Sequence, residues 1–124
     1  MRNWNTIDVR KVDQFEVELA WTYEETALRD MFDDTIFDIE DMQRRCEDYT
    51  DTHYVARVRV MYDGVEMGCS TLGSCYARDC DPAEDMLNGL DDYLEQMIDE
   101  AVDQARSEAV RMVDRLIADF LNRG

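Results

Sequence analysis

The spacing of hydrophobic residues changes three times along this chain, and each change predicts a new element. Phe15, Val17, Leu19, Trp21 and Tyr23 alternate with Glu16, Glu18, Ala20 and Thr22. A period of two belongs to a strand with one buried face, so a strand is expected over about 14–23. Before it, residues 1–13 mix charges of both signs and leave a choice between a loose arm and an edge strand. From Glu24 to Asp51 the period becomes helical. Ala27, Leu28, Met31 and Phe32 share one face, Ile36, Ile39, Met42 and Cys46 another, and Thr35 with Asp38 fits a cap between them.

A hairpin follows. Tyr54, Ala56, Val58, Val60 and Tyr62 alternate up to Asp63-Gly64, a pair suited to the two positive-φ positions of a type I′ turn. A two-residue loop pairs Tyr62 with Val65, Val60 with Met67 and Val58 with Cys69, all on one apolar face. Arg57 and Arg59 fall on the other face, against Glu16 and Glu18 of the first strand. Leu72-Gly73-Ser74 bends or ends the third strand.

The last third reads as one amphipathic helix from Asp81 to Gly124. Asp81-Pro82-Ala83-Glu84 supplies a start signal and Gly124 a stop. Between them Leu87, Leu90, Leu94, Met97, Ile98, Ala101, Ala105, Ala109, Met112, Leu116, Ile117 and Phe120 keep spacings of three and four. Forty-two helical residues would run roughly 63 Å, against a diameter of about 35 Å for a compact chain of this length. Either the helix breaks, with the small polar centre Asp103–Ala109 the expected place, or its overhang packs on a second copy as a homodimer.

These elements predict a single acidic α+β domain over residues 1–124. A three-stranded antiparallel sheet (about 14–23, 52–62 and 65–72) is packed on one face by helices from 24–49 and 82–123, the last being the long C-terminal amphipathic helix. Composition changes the picture through charge. Thirty acidic residues oppose thirteen basic ones, a net charge of −17 on 124 residues. Such crowding opposes compaction, so it points to a cationic partner and disfavours free nucleic acid or an anionic membrane as ligand. No apolar run approaches the ~18 residues of a membrane span, and the start lacks an apolar leader core. The expected location is the cytoplasm, with Cys46, Cys69, Cys75 and Cys80 reduced.

Candidate chemistry is sparse. Cys69, Cys75 and Cys80 lack the tight spacing of a zinc knuckle and read as small buried side chains. The methionines Met31, Met42, Met67, Met97 and Met112 read as core. Asp33-Asp34 and Asp38-x-Glu40-Asp41 lack the glycine and length of a calcium loop. Glu24-Glu25 and Glu100-x-x-Asp103 share something with the paired helical carboxylates of magnesium-dependent nucleotide pyrophosphohydrolases, an alternative activity, but those enzymes are all-helical. One histidine and no nucleophile or phosphate-loop motif predict a protein that is not an enzyme and carries no cofactor or metal.

The carboxylates themselves are then the candidate site. Nine of them lie between Asp81 and Asp103, spanning 23 residues or ~34 Å of helical rise, about one charge per ~4 Å. One DNA strand carries a phosphate every ~3.4 Å. Asp85, Asp92, Glu95, Asp99 and Asp103, spaced at three, four and seven, can line one side, with Asp91 beside them. Arg106, Arg111, Arg115 and Arg123 all follow in the second half, an order that also suits the helix dipole. Asp33, Asp34, Asp38, Glu40 and Asp41 form the second acidic concentration.

In size, acidity, lack of catalytic motifs and helical carboxylates such as Asp91, Asp92, Glu95, Asp99 and Asp103, the chain resembles the small acidic bacteriophage anti-defence inhibitors, the anti-CRISPR and antirestriction proteins of DNA-mimic type. The resemblance implies a viral protein acting in the host cytoplasm as a non-enzymatic inhibitor. It would occupy the Lys/Arg-rich nucleic-acid site of a CRISPR effector or restriction enzyme. With thirteen basic residues among thirty acidic ones, a local acidic patch fits better than mimicry of a full duplex. A structural protein assembling through the long helix is the alternative.

Overall fold

The computed structural model describes residues 3–90 and 92–122. Four strands, β1 (Asn5–Val12), β2 (Phe15–Tyr23), β3 (Thr52–Tyr62) and β4 (Val65–Ala77), form one antiparallel sheet in chain order. Four helices accompany them: α1 (Leu28–Met31), α2 (Ile39–Glu47), α3 (Pro82–Leu87) and α4 (Tyr93–Asn122). The class is α+β as the alternation predicts, but the sheet has four strands rather than three. The additional strand is β1, paired with β2 from Asn5↔Trp21 to Val12↔Phe15. An edge strand needs little apolar content and tolerates charge, so its sequence does not announce it.

The Asp63-Gly64 turn forms as expected, with φ of 49° and 79°. Tyr62 faces Val65 as expected, but the pairing beyond that does not hold. The β3–β4 register shifts between Val60 and Met61, so Val60 faces Gly68 and Val58 faces Ser70, while Cys69 joins Arg59 on the opposite face. The reason lies above the sheet. A Cβ built on Gly68 would run into the carbonyl oxygen of Ala101 and stand 3.1 Å from the amide nitrogen of Ala105. A bulge that brings glycine to this point lets α4 lie directly on the strands. A second shift, between Tyr54 and Ala56, accompanies Ser74 at φ 55°.

Helices cover both faces of the sheet, in contrast to the single covered face expected. Val17, Leu19, Tyr54, Val58 and Val60 pack with Met86, Leu94, Met97, Ala101 and Ala105 from α3 and α4. A smaller cluster of Leu28, Ile39 and Met42 packs with Phe32, Cys46 and Tyr76. The Phe32 ring lies 5.7 Å from His53 and 6.1 Å from Tyr76. His53 pairs with Tyr76 next to the Tyr54–Cys75 pair, and successive strand residues point to opposite faces. The α1–α2 segment therefore sits on the side away from α4. Its α1 is a single turn. Met31 and Met112 are exposed rather than core, while Met42, Met67 and Met97 are buried.

The C-terminal helix is interrupted, but not where expected. Asp81 precedes α3 with Pro82 at its first position, yet the Asp81 side chain makes no capping bond. The helix stops after Leu87, where the Gly89 amide bonds to the Met86 carbonyl at 2.9 Å. Gly89, Leu90 and Asp92 then take φ of 100°, 50° and 73°, a left-handed stretch that no helix can traverse. The Asp103–Ala109 centre stays helical because Ala101 and Ala105 are fully buried on the sheet. Thirty residues give α4 a length of about 45 Å. It outruns the sheet, and every residue from Val110 to Asn122 is exposed. No helix of the described residues is long and apolar enough to cross a membrane.

Candidate acidic interface

At 100° per residue, the sheet-facing positions Leu94, Met97, Ala101 and Ala105 leave Glu95, Asp99 and Asp103 on the outer side of α4, with Asp92 just before its first turn. All four carboxylates are exposed. They succeed one another at intervals of three, four and four residues over roughly 16 Å of rise. Asp103 lies 3.8 Å from Arg106 Nη1, and Arg106 also donates to Asp13 on the β1–β2 turn at 2.7 Å. Asp92, Glu95 and Asp99 carry no ion pair among the described residues. Glu100 falls off this line and accepts from the Ser70 hydroxyl at 3.3 Å. Gln104 Oε1 accepts the Cys69 amide at 3.1 Å, fastening α4 along the edge of β4.

The remaining candidates do not join this stripe. Asp85 belongs to α3, beyond the left-handed turn, and accepts a hydrogen bond from the hydroxyl of the fully buried Tyr54. Burial first, and the Asp85 carboxylate second, push that phenol's pKa well up. Asp91 lies outside the described residues. In the second acidic segment several carboxylates are occupied by the backbone. Asp33 accepts the Thr35 hydroxyl at 2.7 Å and its amide at 2.9 Å, bonds that lower its pKa. Asp38 caps α2 by accepting the Asp41 amide at 3.2 Å, and Asp41 pairs with Arg44. Asp34 and Glu40 are exposed beside the exposed Ile36 and Phe37. These five residues lie with α1–α2, across the sheet from α4, so the two acidic segments do not form one surface.

Cations are neutralised locally on the face of the sheet turned away from α4. Glu18 takes Arg57 and Arg59 on its two oxygens, each at 3.0 Å, and the Arg57 guanidinium lies 4.1 Å from the centre of the Trp4 ring. The pairing follows from the alternation of β2 and β3.

Two polar clusters escaped the sequence reading, because their members meet only through the sheet register. The first centres on Asp51, a buried residue that accepts Arg45 Nε at 2.8 Å, Arg45 Nη2 at 3.1 Å, the Asp79 amide at 3.0 Å and the Tyr76 hydroxyl. Burial raises the Asp51 pKa, but these donors outweigh it and hold the carboxyl at about 2. The second joins Glu24, His53 and Ser74. His53 Nε2 lies 3.4 Å from Ser74 Oγ, and burial lowers the imidazole pKa. Glu24, however, uses its oxygens on the amides of Ser74 (3.1 Å) and Thr26 (3.3 Å). A hydrolytic triad needs an acid that orients the base; here the carboxylate holds the β4 bulge instead.

Glu24 and Glu100 are tied to Ser74 and Ser70 of β4, positions roughly 13 Å apart along a strand. Among the described residues, no three His, Cys, Asp or Glu side chains converge as metal ligands. Cys75 is buried, the other three cysteines are partly buried, and all four are unpaired. Burial pushes their thiols up, that of Cys75 to about 11. Such thiols are poor nucleophiles. Compared with family models, curated proteins and solved structures, the chain finds no match to any of them.

Proposed function

We propose that this protein is a non-enzymatic inhibitor of a host nucleic-acid-binding defence complex, a CRISPR effector or a restriction enzyme. It presents the outer stripe of α4 to a Lys/Arg-rich nucleic-acid site. The observation that carries this reading is the exposed run Asp92, Glu95 and Asp99, without an ion pair among the described residues, at and just before the start of a helix anchored to the sheet. Elsewhere the chain spends its cations on its own carboxylates, as Glu18 and Asp51 illustrate. A fixed row of unpaired charge at helical spacing costs stability, and a cationic groove would recover that cost. Asp34 and Glu40 are too remote to share the contact.

The test is inhibition of DNA cleavage across a set of purified CRISPR effectors and restriction endonucleases, followed by affinity measurement at increasing salt. Affinity should fall steeply with salt, because contacts between surface charges are screened. The triple variant Asp92→Lys, Glu95→Lys, Asp99→Lys should keep its fold and lose inhibition. Full inhibition by that variant would remove the stripe from the contact. The assembly reading is favoured by a different observation, the exposed apolar end of α4.

A further inference from the structure

Beyond Ala109 the character of α4 changes. Val110, Val113, Leu116, Ile117, Phe120 and Leu121 are each more than half exposed, with Phe120 and Leu121 at 77%. On a helical projection they fill a continuous arc of about 140°. Val110, Val113, Ile117 and Leu121 continue the line that carries Glu95, Asp99 and Asp103, while Leu116 and Phe120 continue the line that faces the sheet. Together they offer on the order of 800 Å² of apolar side-chain surface, the amount one partner contributes to a specific interface and more than the largest patch on an ordinary monomer. The charges on the remaining arc cancel, Arg111 and Arg115 against Asp114 and Asp119. On a chain of net charge −17, this is a neutral segment.

We infer that the occupant of this face is a second copy of the same chain, paired antiparallel over residues 109–121. A basic partner would find its attraction on the acidic stretch and none here, whereas neutrality is what a like-charged copy requires. Orientation follows from the same charge. A parallel pair would set two acidic bodies side by side, but an antiparallel pair carries them to opposite ends of a seam about 17 Å long. With Ala109, Val113, Leu116 and Phe120 at the seam, the antiparallel register sets Val113 against Leu116 of the other copy, and Ala109 against Phe120. The two outer carboxylate stripes then sit at opposite ends of one rod, giving a bivalent ligand.

Sedimentation equilibrium tests this on the full chain. Twice the chain mass of 14.6 kDa is expected at micromolar concentration, with the dimer tightening as salt screens the repulsion between bodies. The double variant Leu116→Glu, Phe120→Glu should weaken the dimer at least ~100-fold. Retained fluorescence of Trp4 and Trp21 would show that the sheet is still folded. Orientation is read by mild oxidation. A mixture of Val113→Cys and Leu116→Cys proteins should form the mixed disulfide in excess over either variant alone and over the unaltered chain. A monomeric mass at all salt concentrations overturns the dimer, and disulfide formation confined to Val113→Cys alone overturns the antiparallel seam. Salt also separates this inference from the proposed inhibition, which weakens under the same screening.

Discussion

Asp51 gathers two side chains, those of Arg45 and Tyr76, and one amide, that of Asp79, and it does so in a buried position. Removing its carboxylate in Asp51→Ala would leave Arg45 with the exposed Asp79 alone, the Tyr76 hydroxyl with only the Met42 carbonyl at 3.4 Å, and the Asp79 amide without its acceptor, a loss of about 3 kcal/mol in urea unfolding. Asp34→Ala, at an exposed site, should stay within about 0.5 kcal/mol. The pH dependence has a definite sign. The folded carboxyl sits at about 2, below its ordinary 3.8. Its contribution is therefore fully present above about pH 4 and fades as pH falls through 2. Acid unfolding of the native protein beside Asp51→Asn should show the difference between the two shrinking across that window. Gly68 is equally specific in its demand. Gly68→Ala must move α4 off β4 and should cost about 2 kcal/mol or more. A change near zero would mean that the helix rides higher on the sheet than the Ala101 contact implies.

Elements were legible in the sequence wherever local chemistry decides them. The alternation of β2 and β3, the Asp63-Gly64 turn, and the match of Glu18 to Arg57 and Arg59 all follow from period and charge. What sequence spacing missed was decided by contact between distant segments. The register shift at Met67 exists because α4 needs Gly68 beneath Ala101, and nothing within β4 requires it. The placement of α1–α2 opposite α4 depends on which strand face Tyr76 and His53 occupy. The break at Gly89 had its signal in the glycine, outweighed by a continuous apolar stripe. The candidate site was legible in part. Glu95, Asp99 and Asp103 share a face because they share a helix, whereas Asp85 and the 33–41 segment were separated by turns that helical spacing cannot see. This stripe also yields a prediction on α4 alone. Asp99 has Glu95 and Asp103 one turn away on either side, so Asp99→Lys converts two repulsions into attractions. It should raise stability by about 0.5–1 kcal/mol at low salt while weakening partner binding. A loss of stability instead would mean that the stripe packs against part of the chain itself.

At the scale of the whole molecule, three behaviours hang on one variable, the range of the electrostatic field. Neighbouring carboxylates on a helix stand about 5–6 Å apart, inside a Debye length of ~10 Å at 0.1 M salt but outside the ~3 Å of 1 M. The self-repulsion of a −17 chain is therefore still present in ordinary buffer and disappears only near molar salt. Thermal unfolding should record this as a midpoint that climbs between 0.1 M and 1 M sodium chloride, by about 4 °C for each ~1 kcal/mol recovered. Self-association through residues 109–121 should strengthen over the same range, since apolar contact is retained while the acidic bodies cease to repel. Binding to a basic nucleic-acid site should weaken over that range, because its attraction is the field being screened. If the midpoint failed to climb, the carboxylates would already be neutralised in dilute salt, and unpaired charge on α4 could not be what draws a cationic partner. A climbing midpoint with partner affinity independent of salt would move the contact away from Asp92, Glu95 and Asp99. The apolar end of α4 would then be the surface on which to look for it.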